Sequence, residues 1–97
     1  MDYDVNYIET KYNVDDLNKI FIKEFAKVRR ENNLTQTLLS KYSNVTREKI
    51  TRIEKGMHSP SVLSLLNILG PIGYTIKIVK VSDSDEWYNR LLFKYTK

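Results

Sequence analysis

Leu17, Phe21, Phe25 and Val28 recur at three- and four-residue spacing, with Ile20, Ile22 and Ala26 widening the stripe. That period predicts an amphipathic helix. Asp15 or Asp16 opens it, since a short side-chain oxygen accepts an orphan backbone N–H. Asn32-Asn33 closes it, because Asn33 tolerates the left-handed conformation that ends a helix. Thr35 is a second cap signal, ahead of a short helix Gln36 to Tyr42 with Leu38 and Leu39 apolar. Ser43-Asn44 reads as a turn. Thr46 begins a third helix, with Ile50 and Ile53 on one side and Gly56 at its end. Ser59-Pro60-Ser61 reads as a cap followed by a helix-compatible proline. Val62, Leu65, Leu66 and Leu69 form a fourth amphipathic stripe, broken by Gly70-Pro71 and Gly73. Met57 and Leu63 are expected in the core.

Beyond Gly73 the period changes. Tyr74-Thr75-Ile76-Lys77-Ile78 alternates as a strand does, and Val79 and Val81 shift the alternation, which fits a bulge or a strand buried on both faces. From Asp85 the tail places Trp87, Leu91 and Tyr95 four residues apart, beside Leu92 and Phe93, and predicts one more helix. In residues 1–14, Tyr3, Tyr7, Tyr12 and Val14 follow no period and predict an irregular arm. The expected architecture is mainly α: a bundle of four to five helices, a C-terminal strand and a short terminal helix. Its parts are the arm 1–14, a helical domain 15–73 and a C-terminal region 74–97. One strand alone leaves both edges unpaired, so Tyr74 to Val81 is the expected pairing element of a two-fold dimer.

With 97 residues the chain holds one domain, and 41% hydrophobic with 29% charged residues is ordinary for a globular protein. Cysteine is absent and His58 is the lone histidine, which excludes thiolate or multi-histidine metal sites. No motif activates a Ser or Thr nucleophile and no glycine loop cradles a phosphate, so neither an enzyme nor a cofactor is expected. The longest apolar stretch, Val62 to Val79, carries Asn67, Pro71 and Lys77 and is no membrane span. The start Met1-Asp2-Tyr3-Asp4 lacks a secretion signal, which makes the cytoplasm the expected location. The net charge of +4 conceals a division. In residues 1–16 five acids face Lys11 alone, a balance of −4, whereas twelve Lys/Arg against four Glu give residues 17–82 +8. An acidic segment on a basic body suggests two kinds of partner.

Two short helices joined by a tight turn match a helix-turn-helix, in which the first helix braces the second against the DNA major groove. Leu39, Val45, Ile50 and Ile53 supply the apolar inward faces, Ser40 is small where the helices approach, and Asn44 tolerates positive φ in the turn. Arg47, Glu48, Thr51 and Arg52 share the opposite face of the third helix, which Thr46 opens. Arginine there can bond guanine O6 and N7 in pairs. Gln36, Lys49 and Lys55 suit phosphate contacts, which set register without reading sequence. Glu48 can accept from a cytosine amine or pair with Arg52 one turn on.

Leu34-Thr35-Gln36, Leu39, Val45-Thr46, Ile50, Arg52-Ile53-Glu54-Lys55-Gly56 and Pro60 resemble the phage-repressor-like, or XRE-type, helix-turn-helix family over residues 25–73. The resemblance implies a double-stranded operator as ligand. It also implies a partly buried Arg29–Glu54 pair tying the first helix to the recognition helix, with Gln36 on phosphate, Arg47, Glu48 and Arg52 facing bases, and Lys55 reaching the backbone. Two positions depart from the pattern. Asn44 stands where Gly is common, and the polar Ser43 stands where leucine is common, which predicts looser packing of the second helix. The flanks are similar to HigA-type antitoxins, and to HipB-type antitoxins with a dimer-pairing strand. They imply a homodimer that represses its own operon and neutralises a small basic ribonuclease toxin similar to RelE or HigB. The acidic arm, through Tyr3, Asp4, Tyr7, Glu9 and Tyr12, or the C-terminal tail would contact such a toxin, whose RNA-gripping surface is cationic. A repressor of the same family without a toxin partner is the alternative.

Overall fold

The structure, a computed structural model, describes residues 13–79. Four α-helices follow one another: α1 Val14–Glu31, α2 Gln36–Ser43, α3 Arg47–Glu54 and α4 Val62–Leu69, with a 3-10 turn at Gly70–Ile72. The predicted tail helix and nearly all of the predicted arm, including Tyr3, Asp4, Tyr7, Glu9 and Tyr12, lie outside the described residues.

Local chemistry sets each boundary. Asn13 opens α1, its side chain accepting from the Asp15 and Asp16 amides at 2.7 and 3.3 Å. The cap is therefore not Asp15 or Asp16. Those two acids occupy the first turn and Arg29 and Arg30 the last, both favourable to the helix dipole. Asn33, at φ 57°, closes the helix as expected, and the Leu34 amide then donates to the Arg29 carbonyl at 3.1 Å. Thr35 and Thr46 cap α2 and α3 by accepting from the Leu38 and Lys49 amides at 3.0 and 3.1 Å. Asn44 takes the left-handed turn position at φ 58°.

Helix α4 is capped by Ser61, which accepts from the Ser64 amide at 3.1 Å, so Pro60 precedes the cap instead of following it. Ser61→Ala is expected to lower unfolding free energy by about 1 kcal/mol. Ser59→Ala should leave it within about 0.5 kcal/mol. Urea unfolding of the two variants distinguishes the assignments.

The core is formed by Phe25, Leu39, Ile50, Ile53, Leu65, Ile68 and Leu69, with Phe21, Val28, Leu34, Val45, Ile72 and Ile76 packed around it. Helix α2 lies against both α3 and α4, while α1 lies against α3. Met57 and Leu63 are not core residues: each is 67% exposed. Met57 follows the helix-ending Gly56, and Leu63 stands two positions before the buried Leu65, about 200° away around α4. Val62 is on the side of Leu65 and Leu69 yet exposed, as the first residue of α4, and Ile68 takes the place in the stripe that the spacing gave to Leu66. Ser43 does not loosen α2. It is buried, and its hydroxyl donates to the Leu39 carbonyl at 2.7 Å.

The expected strand from Tyr74 is not formed among the described residues, which end at Val79. Strand structure needs a hydrogen-bonded neighbour, and Tyr74 instead joins the helical body: its amide donates to the Leu69 carbonyl at 3.0 Å and its hydroxyl accepts from Asn32 Nδ2 at 3.1 Å. Ile76 packs against the core while Ile78 is 97% exposed.

Candidate nucleic-acid interface

Helix α3 has two chemically opposite sides. Ile50 and Ile53 are 0% and 1% exposed and anchor it to the core. Arg47, Glu48, Arg52 and Lys55 are exposed, with Thr51 and Lys49 half-buried. The first four recur at one, four and three residues, so they form one polar face about two turns long. Among the described residues Glu48 and Arg52 form no ion pair. Both side chains are thus open to an outside ligand.

The turn that sets α3 against α2 is built by small polar residues. Ser40 Oγ donates to the Val45 carbonyl, and the Val45 amide donates back to the Ser40 carbonyl at 3.3 Å. This reciprocal link crosses Asn44 and fixes where α3 begins. A larger side chain at position 40 would remove it.

The other end of α3 is held by Arg29. Its Nε and Nη2 donate to the two carboxylate oxygens of Glu54 at 2.7 and 3.0 Å, and its Nη1 donates to the Leu34 carbonyl at 2.9 Å. The pair is largely buried, with side chains 13% and 9% exposed. One guanidinium therefore ties α1, the α1–α2 link and the end of α3. Bidentate geometry of this kind combines strength with directional specificity.

Gln36 joins the same network. Its Nε2 donates to Glu54 Oε1 at 3.0 Å and its Oε1 accepts from the Thr51 hydroxyl at 2.7 Å. Spacing alone gave no sign of these contacts. The available signal was that Thr51 and Glu54, three residues apart, share a side of α3 that the start of α2 must approach. The Thr46 hydroxyl accepts from the Lys49 amide and so fixes the start of α3, while its own hydrogen is still able to donate. His58 belongs to the loop before α4 and lines an apolar groove with Phe21, Ile53 and Pro60, away from the polar face of α3.

Residues 25–79, more than half of the chain, match the family model described as Helix-turn-helix. The chain belongs to the helix-turn-helix family. This helix-turn-helix protein is similar to an uncharacterized HTH-type transcriptional regulator of Haemophilus influenzae, 35% identical over 71 residues that span 73% of this chain and 72% of the relative. It is also similar to the uncharacterized HTH-type transcriptional regulator y4dJ of Sinorhizobium fredii, 26% identical over 76 residues, covering 77% and 99% of the two chains. No solved structure matches at a significant level. Family membership and the geometry of α2 and α3 together support DNA-binding transcriptional regulation. Among the described residues no helix is long and apolar enough to cross a membrane, and no cluster of His, Asp or Glu could hold a metal ion.

Proposed function

We propose that the protein is a sequence-specific transcriptional repressor that binds double-stranded operator DNA as a homodimer. The observation that carries this reading is α3: a rigidly anchored helix presenting Arg47, Glu48 and Arg52 on one exposed face. A dimer places two such helices in successive major grooves, about one helical turn or a multiple apart. Arg47, Glu48 and Arg52 face base edges, with Gln36, Lys49 and Lys55 on flanking phosphates.

The test is a gel shift on the DNA upstream of the protein's own gene, repeated over a salt series. Affinity should fall linearly on logarithmic axes, with a slope of about −0.9 per phosphate neutralised. Absence of binding at low salt would overturn the proposal.

A finer reading adds a second partner: a small basic ribonuclease toxin, neutralised by direct contact and co-regulated through the same operon. The charge division supports it, since the −4 segment at residues 1–16 is unsuited to DNA and suited to a cationic protein surface. Co-expression with the product of an adjacent small basic gene should yield a stable complex, lost when residues 1–12 are removed. A complex that survives this deletion points to the tail, and no complex leaves a repressor without a toxin.

A further inference from the structure

We propose that Thr51 is a positioning residue, which acts on DNA through Gln36 instead of reading a base itself. The inference rests on the DNA-binding reading above and refines the role of one residue on its reading face.

The argument begins at Glu54. An ionised carboxylate only accepts hydrogen bonds, so the Gln36 amide must turn its Nε2 toward Glu54 Oε1, 3.0 Å away. Its Oε1 is thereby aimed at Thr51, whose hydroxyl lies 2.7 Å away and donates to it. The Thr51 hydroxyl has one hydrogen. The Arg47 carbonyl, 3.0 Å away, competes for that hydrogen, and no donor capacity remains for a base edge. Thr51 is also only half-exposed, unlike Arg47, Glu48 and Arg52 beside it.

Gln36 is held at both ends of its amide. Arg29 fixes Glu54, Glu54 fixes Nε2, and Thr51 fixes Oε1. Of the two Nε2 hydrogens one goes to Glu54, and the second is presented in a set direction. Gln36 is the first residue of α2, where helix N–H groups favour an anion. Thr51 therefore contributes to affinity for the phosphate backbone, uniformly over sequences, and not to base choice.

The experiment compares Thr51→Val, Thr51→Ser, Gln36→Ala and the Thr51→Val/Gln36→Ala double variant in the full chain. Binding is measured to the promoter duplex and to a scrambled duplex of equal length, over a salt series. Thr51→Val should weaken both duplexes by the same factor, about two- to tenfold, the worth of one hydrogen bond. Its salt slope should stay at the wild-type value, because Gln36 is neutral and its contact with phosphate releases no counterion. Thr51→Ser, which keeps the hydroxyl, should match wild type, and Thr51→Val should add nothing once Gln36 is Ala.

Three results would overturn the assignment: a changed ratio between the two duplexes, no change on either duplex, or effects that add in the double variant. In the free protein, the Gln36 side-chain amide proton resonances should move in Thr51→Val and stay in Thr51→Ser; unmoved resonances in Thr51→Val also overturn it. That readout needs no DNA. If wild type bound neither duplex, the DNA-binding reading would fall, while the resonances would still decide whether Thr51 orients Gln36.

Discussion

Arg29→Ala is expected to destabilise the protein by about 3–5 kcal/mol, the cost of leaving one partner of a buried ion pair behind. Three guanidinium hydrogen bonds are lost at once, two to Glu54 and one to the Leu34 carbonyl. With Arg29 in place the Glu54 carboxylate is only 9% exposed, so the variant leaves a charge at a poorly solvated site without its main partner. Gln36 alone would then satisfy it. Arg29→Lys should recover only part of the loss, since an ammonium cannot reproduce the planar fork that reaches both carboxylate oxygens and a carbonyl. Glu31→Ala is the contrasting case. It removes the Lys27–Glu31 pair, whose side chains are 41% and 59% exposed at 3.8 Å, and should cost at most about 0.5 kcal/mol.

Urea unfolding followed by circular dichroism reads these differences as shifts in midpoint at constant slope. Replacing both partners by apolar residues, Arg29→Met with Glu54→Leu, should restore much of the stability, because a buried pair stabilises mainly by comparison with its broken form. The same double variant should still bind DNA about two- to tenfold more weakly than wild type, since Gln36 loses the carboxylate that orients it. Stability would return without full affinity. A variant that recovered both would show that Glu54 acts only through packing.

The sequence made some of this legible and hid the rest for identifiable reasons. Thr35, Thr46, Asn33 and Asn44 lie where the chain must cap or turn, and few residue types satisfy those backbone demands, so their roles show without tertiary knowledge. The start of α1 was ambiguous because Asn13, Asp15 and Asp16 can all cap, and the choice depends on where the backbone leaves the extended region. The pattern of α4 does not show that Leu63 faces outward, because six of its eight residues are apolar and the stripe has no unique phase until a neighbour selects a face. Met57 is hydrophobic in type only; nothing in its local pattern shows that the loop leaves it uncovered. On the reading face, Arg47 and Arg52 follow from periodicity, whereas Gln36 and Thr51 meet across two helices. Only the distance between α2 and α3 reveals that meeting.

Arg47→Ala combined with Arg52→Ala should abolish operator recognition while leaving the fold intact. Both side chains are exposed, and among the described residues neither bonds to the packed body, so thermal unfolding should be unchanged. A bidentate arginine–guanine contact contributes about 1–3 kcal/mol of discrimination, so two of them predict a loss of roughly thirty-fold to twenty-five-thousand-fold on the operator. On a scrambled duplex the loss should be far smaller, reflecting phosphate attraction alone. Lys49→Ala with Lys55→Ala is the necessary control. If those lysines hold phosphates, affinity should fall equally on both duplexes and the salt slope should become shallower by about 1.8, with the ratio between duplexes preserved. Equal losses on operator and scrambled DNA for the arginine pair would place Arg47 and Arg52 on the backbone as well. In that case α3 would lie along the DNA without reading it, and Glu48 would be the one charged side chain of its exposed face still able to choose a base.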